Sequence, residues 1–221
     1  MKNLLKKILK LFPPLYRLVK GLKLLYHKDS YLNTSGYMQS IAQEKPVDSH
    51  NNPIPWMSFN VVNFLKERLT KEMNLFEYGS GFSTQFYAKK VDNVVSIEHD
   101  EIWFDIISNQ ISSNCVLKYK KYSTHKRGGE YSQAILDDNI KYSVIIVDGR
   151  DRVNCIKNSI SSLKDDGVCI LDDSSRENYK SAFEFMEEYG FKKITFCGLQ
   201  SAGLKETCTT VFYRDGNCFG I

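Results

Sequence analysis

The stretch Asn74–Thr84, NLFEYGSGFST, constrains this 221-residue chain more than any other. A short apolar run closes on Glu77, Gly79 and Gly81 follow, and Ser83 and Thr84 open what reads as a helix. Glycines there let the backbone take positive φ and let a ligand come close to it. The N-terminus of the following helix presents unpaired N–H groups. A second apolar run, VVSIE, ends on Glu98, 21 residues after Glu77. That interval suits one βαβ unit whose second acid reaches ribose hydroxyls.

A dinucleotide fingerprint needs a third glycine where Thr84 stands, and a carboxylate at Glu77 would repel a pyrophosphate. It suits instead a ligand carrying an ammonium and a sulfonium. At this point the chain resembles the class I S-adenosylmethionine-dependent methyltransferases, whose first motif is an acid, a spacer and Gly-x-Gly and whose second strand ends in an acid. The resemblance implies that Gly79 and Gly81 line the methionine part of the cofactor, with Ser80, Ser83 and Thr84 in the same binding turn. It also implies that Glu77 faces the amino group, Glu98 holds the ribose and His99 stands beside it on the cofactor side. An NAD-dependent oxidoreductase is the rival at the level of fold, because glycine turns and ribose acids serve both cofactors.

The later chain extends the pattern. Residues 57–69 and 83–90 read as helices before and after the first strand. A helix over 101–110 turns Trp103, Ile106 and Ile107 inward, and CVLKY (115–119) is a third strand. Residues 120–130 read as a polar loop. YSVIIVDG (142–149) is apolar throughout, as the middle of a parallel sheet requires. A helix over 153–163, the strand GVCILDD (167–173) and a helix over 177–189 follow. FKKITFCG (191–198) and CTTVFYR (208–214) lie too close for a crossover helix, so they pair as an antiparallel hairpin. These elements predict an α/β, Rossmann-like, mostly parallel seven-stranded sheet with a C-terminal antiparallel hairpin and helices on both faces. The resemblance covers about residues 57–214.

Two segments precede that domain, which spans 57–221. Residues 1–28 hold eight Lys or Arg and no acid, so the formal charge of +4 conceals a body with 22 basic against 26 acidic residues. A mildly acidic body argues against a nucleic-acid surface. In MKNLLKKILKLF the leucines, Ile8 and Phe12 share one half of a helical wheel and the lysines the other. Pro13 and Pro14 stop that helix, and a less regular one follows over 15–26. This basic helical arm predicts contact with an anionic membrane surface, or packing on its own domain or a partner. Residues 29–56 lack a sustained period and read as an irregular lid or connector carrying Tyr31, Tyr37 and Trp56 over the cofactor mouth. Six cysteines without a Cys-x-x-Cys pair predict free thiols, no disulfide frame, no zinc site and a cytoplasmic setting, with the arm at the inner membrane face.

Ligands in such sheets bind at the carboxyl ends of the strands, which places Asp148, Asp172 and Asp173 near Glu77 and Glu98. So many carboxylates in one crevice call for cations. One answer is Mg²⁺: catechol-type O-methyltransferases hold it with an Asp after strand four and an Asp-Asn pair after strand five, and Asp148, Asp172 and Asp173 match those positions with Asp for Asn. The other is salt bridging by Arg150, Arg152 and Arg176. The reading is a methyltransferase acting on a hydroxyl of a small-molecule or glycan acceptor. Asp148 is its base, with His99 or Tyr37 behind it, and Arg150 and Arg152 face an anionic acceptor. A base-methylating enzyme would carry an Asn/Asp-Pro-Pro-aromatic motif where DGRD stands. A silent, cofactor-binding scaffold is the reading from another class.

Overall fold

The protein is described by a computed structural model over residues 7, 10–125 and 127–221. Residues 1–6, 8 and 9 of the helix expected from MKNLLKKILKLF lie outside the described residues. Helix α1 (Pro13–Tyr26) comes first. The two prolines occupy its opening positions, where a missing N–H costs nothing, so here they begin a helix. Residues 29–56 are more ordered than their composition suggests. They contain the short helices α2 (Tyr31–Thr34) and α3 (Tyr37–Gln43) and a bridge between Val47 and Pro53.

Helix α4 (Phe59–Arg68), capped by Ser58, leads into β1 (Asn74–Tyr78). There follow α5 (Phe82–Lys90), β2 (Asn93–Glu98), α6 (Glu101–Ser108) and β3 (Cys115–Tyr119). A one-turn helix, α7 (Glu130–Gln133), ends the polar loop, before β4 (Tyr142–Val147), α8 (Arg152–Ser159) and β5 (Leu163–Leu171). Helix α9 (Lys180–Glu188) and the strands β6 (Lys192–Leu199) and β7 (Glu206–Tyr213) complete the chain.

One seven-stranded sheet has the order β3-β2-β1-β4-β5-β7-β6. Strands β1 to β5 run parallel, and β7 lies antiparallel between β5 and β6. Alternate residues feed two cores. Leu75, Val94, Val144, Ile146 and Ile170 pack with α4 and α5 on one face. Phe76, Tyr78, Ile97, Ile145 and Leu171 pack with α8 and α9 on the other. In α6 Ile107 is buried but Ile106 is 44% exposed, so only part of the expected inward face is inward.

The order reverses between β1 and β2 on one side and β4 on the other, which opens a crevice above β1. Against the expectation of free thiols, Cys197 and Cys208 are opposite each other on β6 and β7 and form a disulfide. The antiparallel register sets their Cα atoms 4.1 Å apart. Cys115, Cys155, Cys169 and Cys218 are free.

Candidate active site

A cavity of about 520 Å³ opens above β1. Its floor is the turn after β1 (Gly79, Ser80, Gly81 and Ser83), one side is Glu98 and His99 after β2, and the other is Asp148, Gly149 and Arg150 after β4. Gly79 has φ +94°, and a Cβ on it would come within 2.9 Å of the Gly149 backbone. The turns after β1 and β4 thus lie in direct contact, and only glycine permits it. Gly81 takes an extended φ, and an added Cβ would meet only Trp103, at 3.9 Å. Its value is closeness to the cavity, not positive φ.

Glu77 does not line this cavity. It is fully buried beneath the turn, accepting hydrogen bonds from Ser83 Oγ, Thr84 Oγ1 at 2.6 Å and Ser96 Oγ at 2.7 Å. Thr84 Oγ1 also accepts from the Gly81 N–H at 2.9 Å. Burial pushes the Glu77 carboxyl up to about 7 against the pull of these hydroxyls, and the charge of Glu98 adds to the rise. The expectation that Glu77 faces a ligand ammonium is therefore replaced: hydroxyls occupy both oxygens, and the residue fixes the glycine turn to the start of α5. Thr84 shares this role and also lies below the cavity.

Glu98 is the carboxylate that reaches the cavity. Its Oε1 accepts from the backbone N–H of His99 at 2.7 Å and of Asp100 at 2.8 Å, and its Oε2 accepts from the Ser80 N–H at 3.1 Å and Ser80 Oγ at 3.0 Å. His99 Nδ1 stands 2.8 Å from Oε1. Burial alone would raise this carboxyl, but the His99, Asp100 and Ser80 donors outweigh it and hold it below the ordinary glutamate value. His99 Nε2 in turn accepts from Arg150 Nε at 3.3 Å, so a polar strap crosses the floor from β2 to β4.

The acids after β4 and β5 gather on Arg152, which opens α8 and is buried. Its Nη2 lies 3.0 Å from Asp148 Oδ1 and 3.9 Å from Asp173 Oδ2, and its Nη1 lies 3.9 Å from Asp172 Oδ2. The same guanidinium donates to the carbonyls of Gly149 at 2.9 Å, Asp172 at 2.6 Å and Asp148 at 2.9 Å. Thr209 Oγ1 donates to Asp172 at 2.6 Å, Thr207 Oγ1 donates to Asp173 at 2.9 Å, and Arg176 pairs with Asp173.

These residues do not fit a magnesium ion: a fixed cation already sits where the metal would, and threonines fill the outer oxygens. Among the described residues no cluster of His, Cys, Asp or Glu is arranged to hold a metal. The magnesium expectation gives way to the salt-bridge alternative, in which Arg152 is committed to the fold. Burial raises the Asp148 carboxyl to about 6, Arg152 holding it down and Glu77 and Asp173 pushing it up. Burial, and next the charge of Asp148, raise the Asp172 carboxyl well above the ordinary aspartate value.

Of the remaining sequence candidates, Tyr37 donates to the Gly203 carbonyl at 3.1 Å and packs its ring edge-on to Phe59, and Tyr31 also meets Phe59 edge-on. Both support the core edge away from the cavity. Pro46 and Trp56 do reach it, so the lid segment closes part of the mouth. Phe82, Asp100 and Trp103 line it too, though no motif pointed to them. Asp100 caps α6 by accepting from the Trp103 N–H at 3.0 Å, and the Trp103 indole donates to the Ser80 carbonyl at 2.9 Å.

No family model matches the chain, and no curated protein matches its sequence. Solved structures do share its fold. A precorrin-6y C5,15-methyltransferase from Geobacter metallireducens aligns at a TM-score of 0.53 and 14% identity, over 71% of this chain and 88% of its own. A Klebsiella pneumoniae protein provisionally assigned as an O-methyltransferase gives 0.53 and 14%, over 88% and 94%. A Streptococcus mutans protein provisionally assigned as a methyltransferase, solved with S-adenosylhomocysteine, gives 0.50 and 12%, over 69% and 94%. The seven-stranded fold is the one these methyltransferase structures share.

Proposed function

We propose that the protein is an S-adenosylmethionine-dependent methyltransferase acting on a hydroxyl of a small-molecule or glycan acceptor. The observation that carries this reading is the cavity above β1, which brings an ionised Glu98 and a glycine turn to one side and Asp148 with Arg150 to the other. The donor set fits the cofactor. Glu98 is held charged and suits a ribose diol, and the first N–H groups of α5, unpartnered within the helix, suit a carboxylate. When bound, the cofactor supplies a methyl group on a positively charged sulfur.

The protein's own residues then orient and deprotonate the acceptor. Asp148, ionised above about pH 6 and steadied by Arg152, accepts the hydroxyl proton. Arg150 is exposed at the cavity edge, bonded to His99 and in no ion pair among the described residues, so its guanidinium is available to an anionic group of the acceptor. Trp56 and Pro46 wall the mouth and limit water.

Titration calorimetry with S-adenosylhomocysteine tests the cofactor assignment, and binding of NAD in its place overturns it. Release of S-adenosylhomocysteine over a panel of hydroxylated acceptors tests the rest. Asp148→Asn is expected to lower turnover about 10²–10⁴-fold with cofactor affinity retained. The wild-type rate should fall below about pH 6 as Asp148 gains its proton. Unchanged turnover in Asp148→Asn would remove Asp148 from the chemistry.

A further inference from the structure

Helix α1 has no buried residue, although six of its fourteen residues are Leu or Val. Leu15, Leu18, Val19, Leu22 and Leu25 are all at least 37% exposed. They recur at three- and four-residue steps and fill an arc of about 120° on the helix surface. Arg17, Lys20 and Lys23 project from the remainder, with Leu24 among them, and form no ion pair among the described residues. The helix is tied down at its C-terminal end, where Asn33 Nδ2 donates to the carbonyls of Leu25 at 2.8 Å and His27 at 3.0 Å. Its apolar arc is therefore presented outward on an anchored helix.

What covers this arc is settled by charge. Residues 1–28 contain eight cations and no acid. A second copy of the helix would set lysine against lysine with no acid to offset it, and the arc is broader than the narrow seam a helix pair uses. Fourteen residues are too few to span a bilayer, which takes about 20. No helix among the described residues is long and apolar enough to cross a membrane. We infer that α1 lies in the plane of an anionic membrane surface, its leucines in the headgroup boundary and its cations on acidic lipids. This goes beyond the methyltransferase reading and does not depend on it.

The test is sedimentation of the full chain with vesicles of phosphatidylglycerol and phosphatidylcholine, and with vesicles of phosphatidylcholine alone. The protein should pellet with the first and stay in solution with the second. Arg17→Gln, Lys20→Gln and Lys23→Gln together should weaken binding about a hundredfold, and Leu18→Glu with Leu22→Glu should abolish it. Circular dichroism and S-adenosylhomocysteine affinity report separately on the fold and on the cleft. Failure to pellet, equal pelleting of the charge-altered variants, or a solution dimer that the Leu18→Glu and Leu22→Glu pair dissociates would each overturn the inference. Loss of S-adenosylhomocysteine binding with pelleting intact would instead count against the methyltransferase reading alone.

Discussion

At the β1–β2 end of the cleft two buried carboxylates are surrounded by neutral donors; at the β4–β5 end one buried and two half-buried carboxylates are gathered on one guanidinium. Glu77 takes hydroxyls and Glu98 takes mostly backbone N–H groups, and the two carboxyls shift in opposite directions, one up and the other down. Asp148, Asp172 and Asp173 instead share Arg152. The difference teaches that a crowd of acids at strand ends can be stabilised without a metal in two ways. One tolerates the loss of a single donor; the other depends on one side chain.

The sharpest way to break that contrast is Arg152→Met. Removing the shared cation leaves the buried Asp172 and its two half-buried neighbours uncompensated, and breaking a buried pair typically costs about 3–5 kcal/mol. Urea unfolding at neutral pH should show that loss, shrinking in acid as the carboxylates take up protons. A deficit below about 1 kcal/mol would mean the three acids are not held by Arg152 in the way its distances suggest.

A smaller effect separates the two acids of the first pair. Folded Glu77 keeps its proton up to about pH 7, whereas an unfolded glutamate releases it near 4.5. Between those values the folded state binds more protons, so this residue makes stability fall as pH rises and then level off above about 7. The fall is at most about 3 kcal/mol. Glu98 has the opposite sign: its contribution is present above the unfolded value and is lost as pH falls through its lower folded value. Glu77→Gln should therefore flatten the decline between pH 5 and pH 8 and leave the acid limb in place. An unaltered slope would show that Glu77 is ionised in the folded state.

Much of this was legible in the sequence. The strand runs ending on Glu77 and Glu98, the continuous apolar YSVIIV and the close spacing of the last two strands define a mostly parallel sheet closed by an antiparallel pair. Strand-end chemistry picked out Ser80, Glu98, His99, Asp148 and Arg150, all of which line the cavity. What failed was the direction in which side chains point. The resemblance put Glu77 on the lip, but three hydroxyls, two from the start of α5 and one from β2, draw it beneath. Those partners are serine and threonine, whose sequence signal is indistinct. Arg152 and Arg150 are two residues apart and looked equivalent; the start of α8 turns one into the acid cluster and leaves the other at the rim. Trp103 and Phe82 belong to the cavity through tertiary contacts, which no local pattern records. The cysteine pair escaped notice because its register depends on the hairpin, not on spacing within either strand.

The mildest perturbation bears on the neutral end. Ser96 is fully buried on β2, and its hydroxyl gives Glu77 one of three hydrogen bonds. Ser96→Ala should cost only about 1 kcal/mol, because Ser83 and Thr84 remain and Glu77 can keep its proton. With one fewer donor opposing burial, the Glu77 carboxyl should rise further, so the decline in stability should extend to higher pH than in the wild type. Unfolding midpoints across pH 5–9 measure both the size of the loss and the point where the decline ends. A loss as large as that of Arg152→Met would mean the hydroxyls act as a single unit, and the distinction between distributed and centralised neutralisation would fail.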